Sequence, residues 1–155
     1  DADTLITTLP DSIQLAIKTG EKNHDYGSPA YKNANEVFYK NFGVRKTKLT
    51  SELDTSTAKG NEFIYNYMWG PTEFTAAGTL INYNRVQSLK TIKVPTLFIT
   101  GEFDEARPVT VKYFQSLVPN SKFVMIDGAG HGTMHDNKGQ NISAVKTFLD
   151  SLELK

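Results

Sequence analysis

Cysteine is absent from this 155-residue chain, tryptophan occurs once and methionine three times. Without thiols there is neither a disulfide framework nor a thiolate metal site, a composition that suits a reducing compartment and favours the cytoplasm. Neither sign of charge is in excess: 17 Lys plus Arg face 17 Asp plus Glu. A basic field able to collect nucleic acid or anionic lipid is therefore missing, and neither partner is expected. No run of apolar residues approaches the ~20 needed to span a membrane. Asp1-Ala2-Asp3-Thr4 lacks the charged and apolar regions of a signal peptide and reads as the interior of a longer protein. Internal repeats and low-complexity tracts are absent as well.

What is present is the balance of a globular chain, 39% hydrophobic and 22% charged. Its texture changes near Lys90 to Val94. Residues 1–90 carry helical signals: Asp11 or Ser12 as an N-cap with Ile13, Ala16 and Ile17 on one face, then Pro29 opening a segment with Tyr31, Ala34, Phe38 and Phe42. A third helix is predicted over about Thr57 to Trp69, with Phe63, Ile64, Tyr67 and Met68 as one stripe. Turn-rich links separate them, among them Thr19 to Gly27 and Lys46 to Ser56.

Residues 91–155 read as strand, helix, strand, helix. Pro95 precedes Thr96-Leu97-Phe98-Ile99-Thr100, and Val111, Phe114, Leu117 and Val118 mark a helix face. Pro119-Asn120 turns the chain into Lys122-Phe123-Val124-Met125-Ile126, and Ile142, Val145, Phe148, Leu149 and Leu152 form the last amphipathic helix. Both strands are apolar on successive residues, the pattern of a parallel sheet covered on both faces. Two strands cannot provide that cover, so neighbouring strands are expected from a second chain, from an N-terminal half, or from self-association through the exposed strands.

Each strand is followed by a loop with one residue suited to acid–base chemistry. Gly101-Glu102-Phe103-Asp104 follows the first and Gly128-Ala129-Gly130-His131 the second. A carboxylate beyond one strand and a histidine beyond the next is the way an α/β hydrolase supplies the orienting acid and the base of a triad. Asp104 competes with Glu102 and Glu105 for the acid role, and could instead cap the helix after Pro108. His131 could be an ordinary surface histidine. His131 and His135 have the i, i+4 spacing of a zinc pair, but Gly130 and Gly132 argue against a helix there and no Glu follows the first His, so no metal is expected. His24 is read as a solvated loop residue.

Four stretches taken in order carry a family resemblance: Tyr65-Asn66-Tyr67-Met68-Trp69-Gly70-Pro71-Thr72-Glu73-Phe74, Gly78-Thr79-Leu80, Ile92-Lys93-Val94-Pro95-Thr96-Leu97, and Gly101 to Pro108. With Pro119-Asn120-Ser121 and the Gly-Ala-Gly-His turn, they resemble the proline iminopeptidase family of α/β hydrolases along nearly the whole chain. The Met-Trp-Gly-Pro-Thr-Glu-Phe stretch is the most specific. The resemblance implies an α/β fold in which the C-terminal part of an α/β-hydrolase parallel sheet is preceded by a helical cap: 1–90 as the cap and 91–155 as the C-terminal part of the core. It selects Asp104 as the triad acid and His131 as the base, and no cofactor.

The resemblance further implies that Glu73 in the cap binds the free α-amine of a substrate, with Trp69 and Phe74 as pocket walls. Asn33 stands where that family often has a second glutamate. The substrate implied is a small peptide with a free N-terminus, or an amino-acid amide or ester; the alternative within the same fold is a small ester or amide without a free amine. A Gly-x-Ser-x-Gly nucleophile elbow does not occur in these residues, so the piece is expected to be a fragment that is inactive alone. The alternative from another class is a non-catalytic module of cap and half-sheet that binds a ligand or pairs with another chain.

Overall fold

The structure, a computed structural model, describes residues 1–46, 55–56, 58–72 and 74–153. Thr57, Glu73 and most of the link expected over Lys46 to Ser56 lie outside the described residues. Two compact units emerge. One comprises Ala2–Lys40 and Thr47–Asn84; the other comprises Asp1, Asn41–Lys46 and Arg85–Lys155.

The first unit is helical. Helices α1 (Ala2–Ile6), α2 (Asp11–Asn23), α3 (Pro29–Phe42) and α4 (Glu62–Met68) follow one another. α2 begins after Pro10, which makes no side-chain cap bond, so neither Asp11 nor Ser12 is the N-cap. The fixed φ of Pro10 starts the helix instead. α2 ends at His24, held in the left-handed region at φ 54°. The predicted stripe of α3 is buried within this unit at Tyr31, Ala34 and Phe38, as is Ile17 of α2.

Gly20 is required where α2 meets α3: a Cβ there would lie 2.2 Å from the Tyr31 ring. The Tyr31 hydroxyl donates to Glu21 Oε1 at 2.6 Å. Thr72 donates to the same oxygen and lies 3.0 Å from the Tyr31 hydroxyl. Burial, and then the bond to Glu21, push the Tyr31 phenol well above its ordinary pKa, so it stays a donor.

The third predicted helix is shorter than expected. α4 starts at Glu62, with Asn61 capping it by accepting the Ile64 amide at 3.0 Å. Gly60 and Asn61 interrupt the helical run, because a side-chain acceptor at Asn61 offers the backbone a start point and Gly60 gives no helical support. Its apolar stripe faces solvent: Phe63 is 79% and Tyr67 64% exposed, with their rings stacked at 6.4 Å.

The second unit holds the sheet. After a 3₁₀ turn (Val86–Thr91) come β1 (Thr96–Gly101), α5 (Pro108–Leu117), β2 (Ser121–Ile126), the short α6 (Thr133–Asp136) and α7 (Lys138–Glu153). β1 and β2 pair in parallel, in a register that sets Phe98 opposite Phe123 and Gly101 opposite Ile126. Pro108 stands in the first turn of α5, where its missing amide hydrogen costs nothing. Asn120 takes a left-handed conformation, φ 57°, in the turn into β2, a conformation its short polar side chain tolerates.

Among the described residues the sheet has these two strands alone. α7 covers one face incompletely, leaving a cavity of about 240 Å³ lined by Leu97, Val124, Ala144 and Phe148. Ile142 and Leu149 of the predicted α7 stripe are half exposed, because an apolar arc that wide exceeds what two strands can cover. No helix among the described residues is long and apolar enough to cross a membrane.

Replacing Tyr31 by Phe removes a donor to a partly buried carboxylate, and should lower unfolding free energy by about 2 kcal/mol. Urea denaturation followed by far-UV circular dichroism checks this. A midpoint equal to that of the unsubstituted chain would show the cluster to be energetically silent.

Candidate active site

The carboxyl ends of two adjacent parallel strands deliver Asp104 and His131 to one place, the position at which open α/β sheets carry their sites. Gly101 ends β1 against the second loop: a Cβ there would lie 2.2 Å from the Gly130 carbonyl oxygen. Close approach of the second loop's backbone is thus the reason for glycine at 101. Gly128, at φ 70°, turns the second loop back toward the first.

Asp104 is nearly fully buried, 4% exposed, and its carboxylate is saturated with donors. Oδ1 accepts the Ala106 amide at 2.8 Å; Oδ2 accepts the Gly101 amide at 3.1 Å and lies 3.1 Å from the Thr100 hydroxyl. Oδ1 also meets His131 Nδ1 at 2.9 Å. Burial pushes the Asp104 carboxyl up, but the bonds from His131, Gly101 and Ala106 outweigh it and hold the pKa below the ordinary carboxylate value. The same bond raises the His131 imidazole above its usual value, opposed by desolvation and helped by the charge of Glu105.

Of the three acids in the first loop, Asp104 is the one that meets the ring. Glu102 instead accepts the Gly128 amide at 2.9 Å, bracing the histidine loop from the side. The helix after Pro108 has Arg107 as its N-cap residue, without a side-chain cap bond, so Asp104 does not cap it. With Nδ1 engaged, Nε2 is the ring nitrogen left to exchange a proton, on a side chain that is 61% exposed. His131 precedes the first residue of α6, so it does not share a helix face with His135. Among the described residues there is no cluster of three or more metal-ligating side chains.

Sequence reasoning misses three features of the site. Thr100 is fully buried beneath Asp104. Residues 42–46 form a backbone strap: the Phe42 carbonyl accepts the amides of His131 (2.8 Å) and Glu105 (3.3 Å), and the Gly43 carbonyl accepts that of Gly132 (2.9 Å). Asp136 accepts amides from both strap and loop. The strap is far in sequence from the loop it holds, and no local signal marks it. Thr100, at a strand end four residues before the acid it supports, is the feature a local signal could have found.

The other predicted residues lie in the helical unit. Trp69 donates its indole N–H to the Thr72 carbonyl at 2.8 Å. Phe74 packs edge-on against Phe38 and Tyr31, with centroids 4.9 Å and 6.1 Å away. Glu73 lies outside the described residues, and Asn33 is exposed on α3.

Asp104→Asn should lower the His131 pKa, read from imidazole chemical shifts in an NMR titration. Stability follows the same pair. The low Asp104 pKa contributes above the ordinary carboxylate range and is lost as pH falls through it; the raised His131 pKa contributes below about 6.5 and is lost as pH rises through the folded-state value. The substitution should therefore cost more stability at about pH 5.5 than at about pH 9, and equal losses at both would exclude the charged pair.

No family model matches the chain. A proline iminopeptidase of Heyndrickxia coagulans is 37% identical over 145 residues, 93% of this chain and 50% of the relative. One from Lactobacillus helveticus is 31% identical over 146 residues, 94% of this chain and again 50% of the relative. The crystal structure of proline iminopeptidase from Mycobacterium smegmatis superposes with a TM-score of 0.89 at 28% identity, covering 99% of this chain and 52% of that one. The chain spans about half the length of the curated relatives it matches. By sequence and by fold, this chain is similar to about one half of each of these proline iminopeptidases, which are α/β hydrolases.

Proposed function

We propose that this chain contributes the acid, the base and the cap of a serine hydrolase that removes N-terminal residues from small peptides. The observation that carries the proposal is the 2.9 Å bond from His131 Nδ1 to a buried, ionised Asp104, with Nε2 left unbonded among the described residues. That bond fixes the tautomer in which Nε2 is the proton acceptor.

In the proposed reaction, Nε2 takes the proton of a serine hydroxyl as its oxygen bonds to the scissile carbonyl carbon. Asp104 stabilises the resulting imidazolium without itself taking the proton. His131 then returns the proton to the leaving amine as the carbon–nitrogen bond breaks, giving an acyl-enzyme and a shortened peptide. A water molecule, deprotonated in turn by His131, releases the amino acid and restores the serine.

The serine and the oxyanion donors come from residues other than these, in a second chain or an N-terminal half. The two-stranded sheet and the half-exposed Ile142 and Leu149 support a need for such neighbours. Residues 1–90 act as the cap: Glu73 recognises the substrate α-amine, and Trp69 and Phe74 wall the pocket. An ammonium held by a carboxylate distinguishes a chain end from an interior peptide bond. Asn33, with no charge to offer, favours a second substrate class, an amino-acid amide or ester whose binding depends less on the amine.

Native mass spectrometry with peptide sequencing of every chain in the assembly comes first. The 155-residue chain alone should show no hydrolysis of a proline arylamide and no labelling by a serine-directed phosphonate. Combined with a polypeptide bearing the Gly-x-Ser-x-Gly elbow, it should gain activity that Asp104→Asn reduces by about 10⁴-fold. Activity indifferent to Asp104→Asn and His131→Ala would sink the assignment.

A further inference from the structure

Asp136, at the end of α6, accepts four backbone hydrogen-bond contacts from three amides. Arg45 N lies 3.0 Å from Oδ1 and 3.1 Å from Oδ2, Lys46 N lies 2.8 Å from Oδ1, and Gly130 N lies 2.9 Å from Oδ2. One carboxylate thereby clamps the strap to the residue just before His131. The strap returns the constraint, because the Phe42 carbonyl accepts the His131 amide and the Gly43 carbonyl accepts that of Gly132. The backbone on both sides of His131 is tied to the strap, and Asp136 ties the strap down.

Glycine chemistry shows how tight the assembly is. A Cβ on Gly130 would lie 2.5 Å from the Gly43 carbonyl oxygen, and one on Gly132 would lie 2.6 Å from Val44 Cγ2. Arg45 adds a second fastening, its Nε donating to the Gly128 carbonyl at 3.2 Å while its guanidinium lies 3.9 Å above the Phe103 ring. Phe103 is the neighbour of Asp104 in sequence, so the same strap residue reaches both loops.

We propose that Asp136 is a positioning residue for the catalytic pair: by gathering the amides of Arg45, Lys46 and Gly130, it sets the His131 backbone at the distance that lets Nδ1 meet Asp104. The proposal rests on the reading of Asp104 and His131 as that pair. A carboxylate is the group suited to this place, since it is an acceptor at every lone pair. A carboxamide there, as in Asp136→Asn, would turn an N–H₂ toward at least one of the three donors and leave an amide unpaired. Among the described residues, the charges that act on the His131 ring are those of Asp104 and Glu105, so Asp136 acts on His131 through the backbone and not as a neighbouring charge.

The test is NMR on the full 155-residue chain, with Asp136→Asn, Asp104→Asn and Ser121→Ala in parallel. Ser121 bonds the Gln115 and Val118 carbonyls at the far end of β2, so its loss weakens the same unit away from the site. In Asp136→Asn, the His131 pKa should fall toward the value in Asp104→Asn, and the Gly130, Arg45 and Lys46 amides should exchange at least about tenfold faster. Ser121→Ala should lower stability and leave the His131 pKa where it was. An unshifted His131 pKa in folded Asp136→Asn overturns the proposal, as does an equal shift in Ser121→Ala. A pKa indifferent to Asp104→Asn overturns the pair, and this proposal with it. If Asp136→Asn does not fold, amide exchange in the unsubstituted chain decides: protection at Gly130, Arg45 and Lys46 supports the clamp, and its absence overturns it.

Discussion

A single carbonyl oxygen, that of Phe42, accepts the amides of both His131 and Glu105, and the site depends on this shared acceptor. The two residues sit on loops that leave different strands, and nothing in either loop alone sets their separation. An acceptor common to both converts two independent flexible turns into one framework. The backbones pack so closely here that side chains are excluded, and Gly101, Gly130 and Gly132 stand where a Cβ would collide. A hydrogen-bonding group buried at such a junction must be paired, and each pairing restricts the loops further.

The electrostatics follow from that framework. Asp104 would be an expensive charge at 4% exposure if its oxygens were free. Two backbone amides, a hydroxyl within bonding distance and an imidazole supply the compensation. The result is a carboxylate that stays ionised and an imidazole held as a stronger base than usual, with its other nitrogen exposed. The proposed serine activation requires this polarity, and the polarity arises here at the end of a two-stranded parallel sheet.

The helical unit uses the same principle for a different end. Glu21 is anchored by Tyr31 and Thr72, whose neighbour in sequence is Glu73. Thr72 also receives the Phe74 amide, and its carbonyl receives the Trp69 indole, so Trp69 and Phe74 are both tied to Thr72. Phe74 is thereby committed to packing on Phe38 and Tyr31 over part of its surface. The aromatics of α4, in contrast, extend into solvent, because a seven-residue helix capped at Asn61 presents its apolar stripe on the side the rest of the unit does not cover.

The sequence by itself determined what depends on neighbours in the chain. Successive apolar residues made β1 and β2 buried-type parallel strands, Pro29 and the Tyr31, Ala34, Phe38 spacing made α3, and the loops after the strands offered Asp104 and His131. Local competition between cap and proline chemistry decided the start of α2 at Pro10 and of α4 at Asn61, and periodicity does not resolve such contests. Tertiary structure alone decided which acid meets the histidine and what holds the two together. Asp104 is distinguished from Glu102 and Glu105 by the direction its side chain takes off the turn. The strap at 42–46 and the Asp136 carboxylate join residues distant in sequence, and the partners they find are backbone amides and carbonyls, which are the same at every residue, so the amino-acid code does not mark which of them meet.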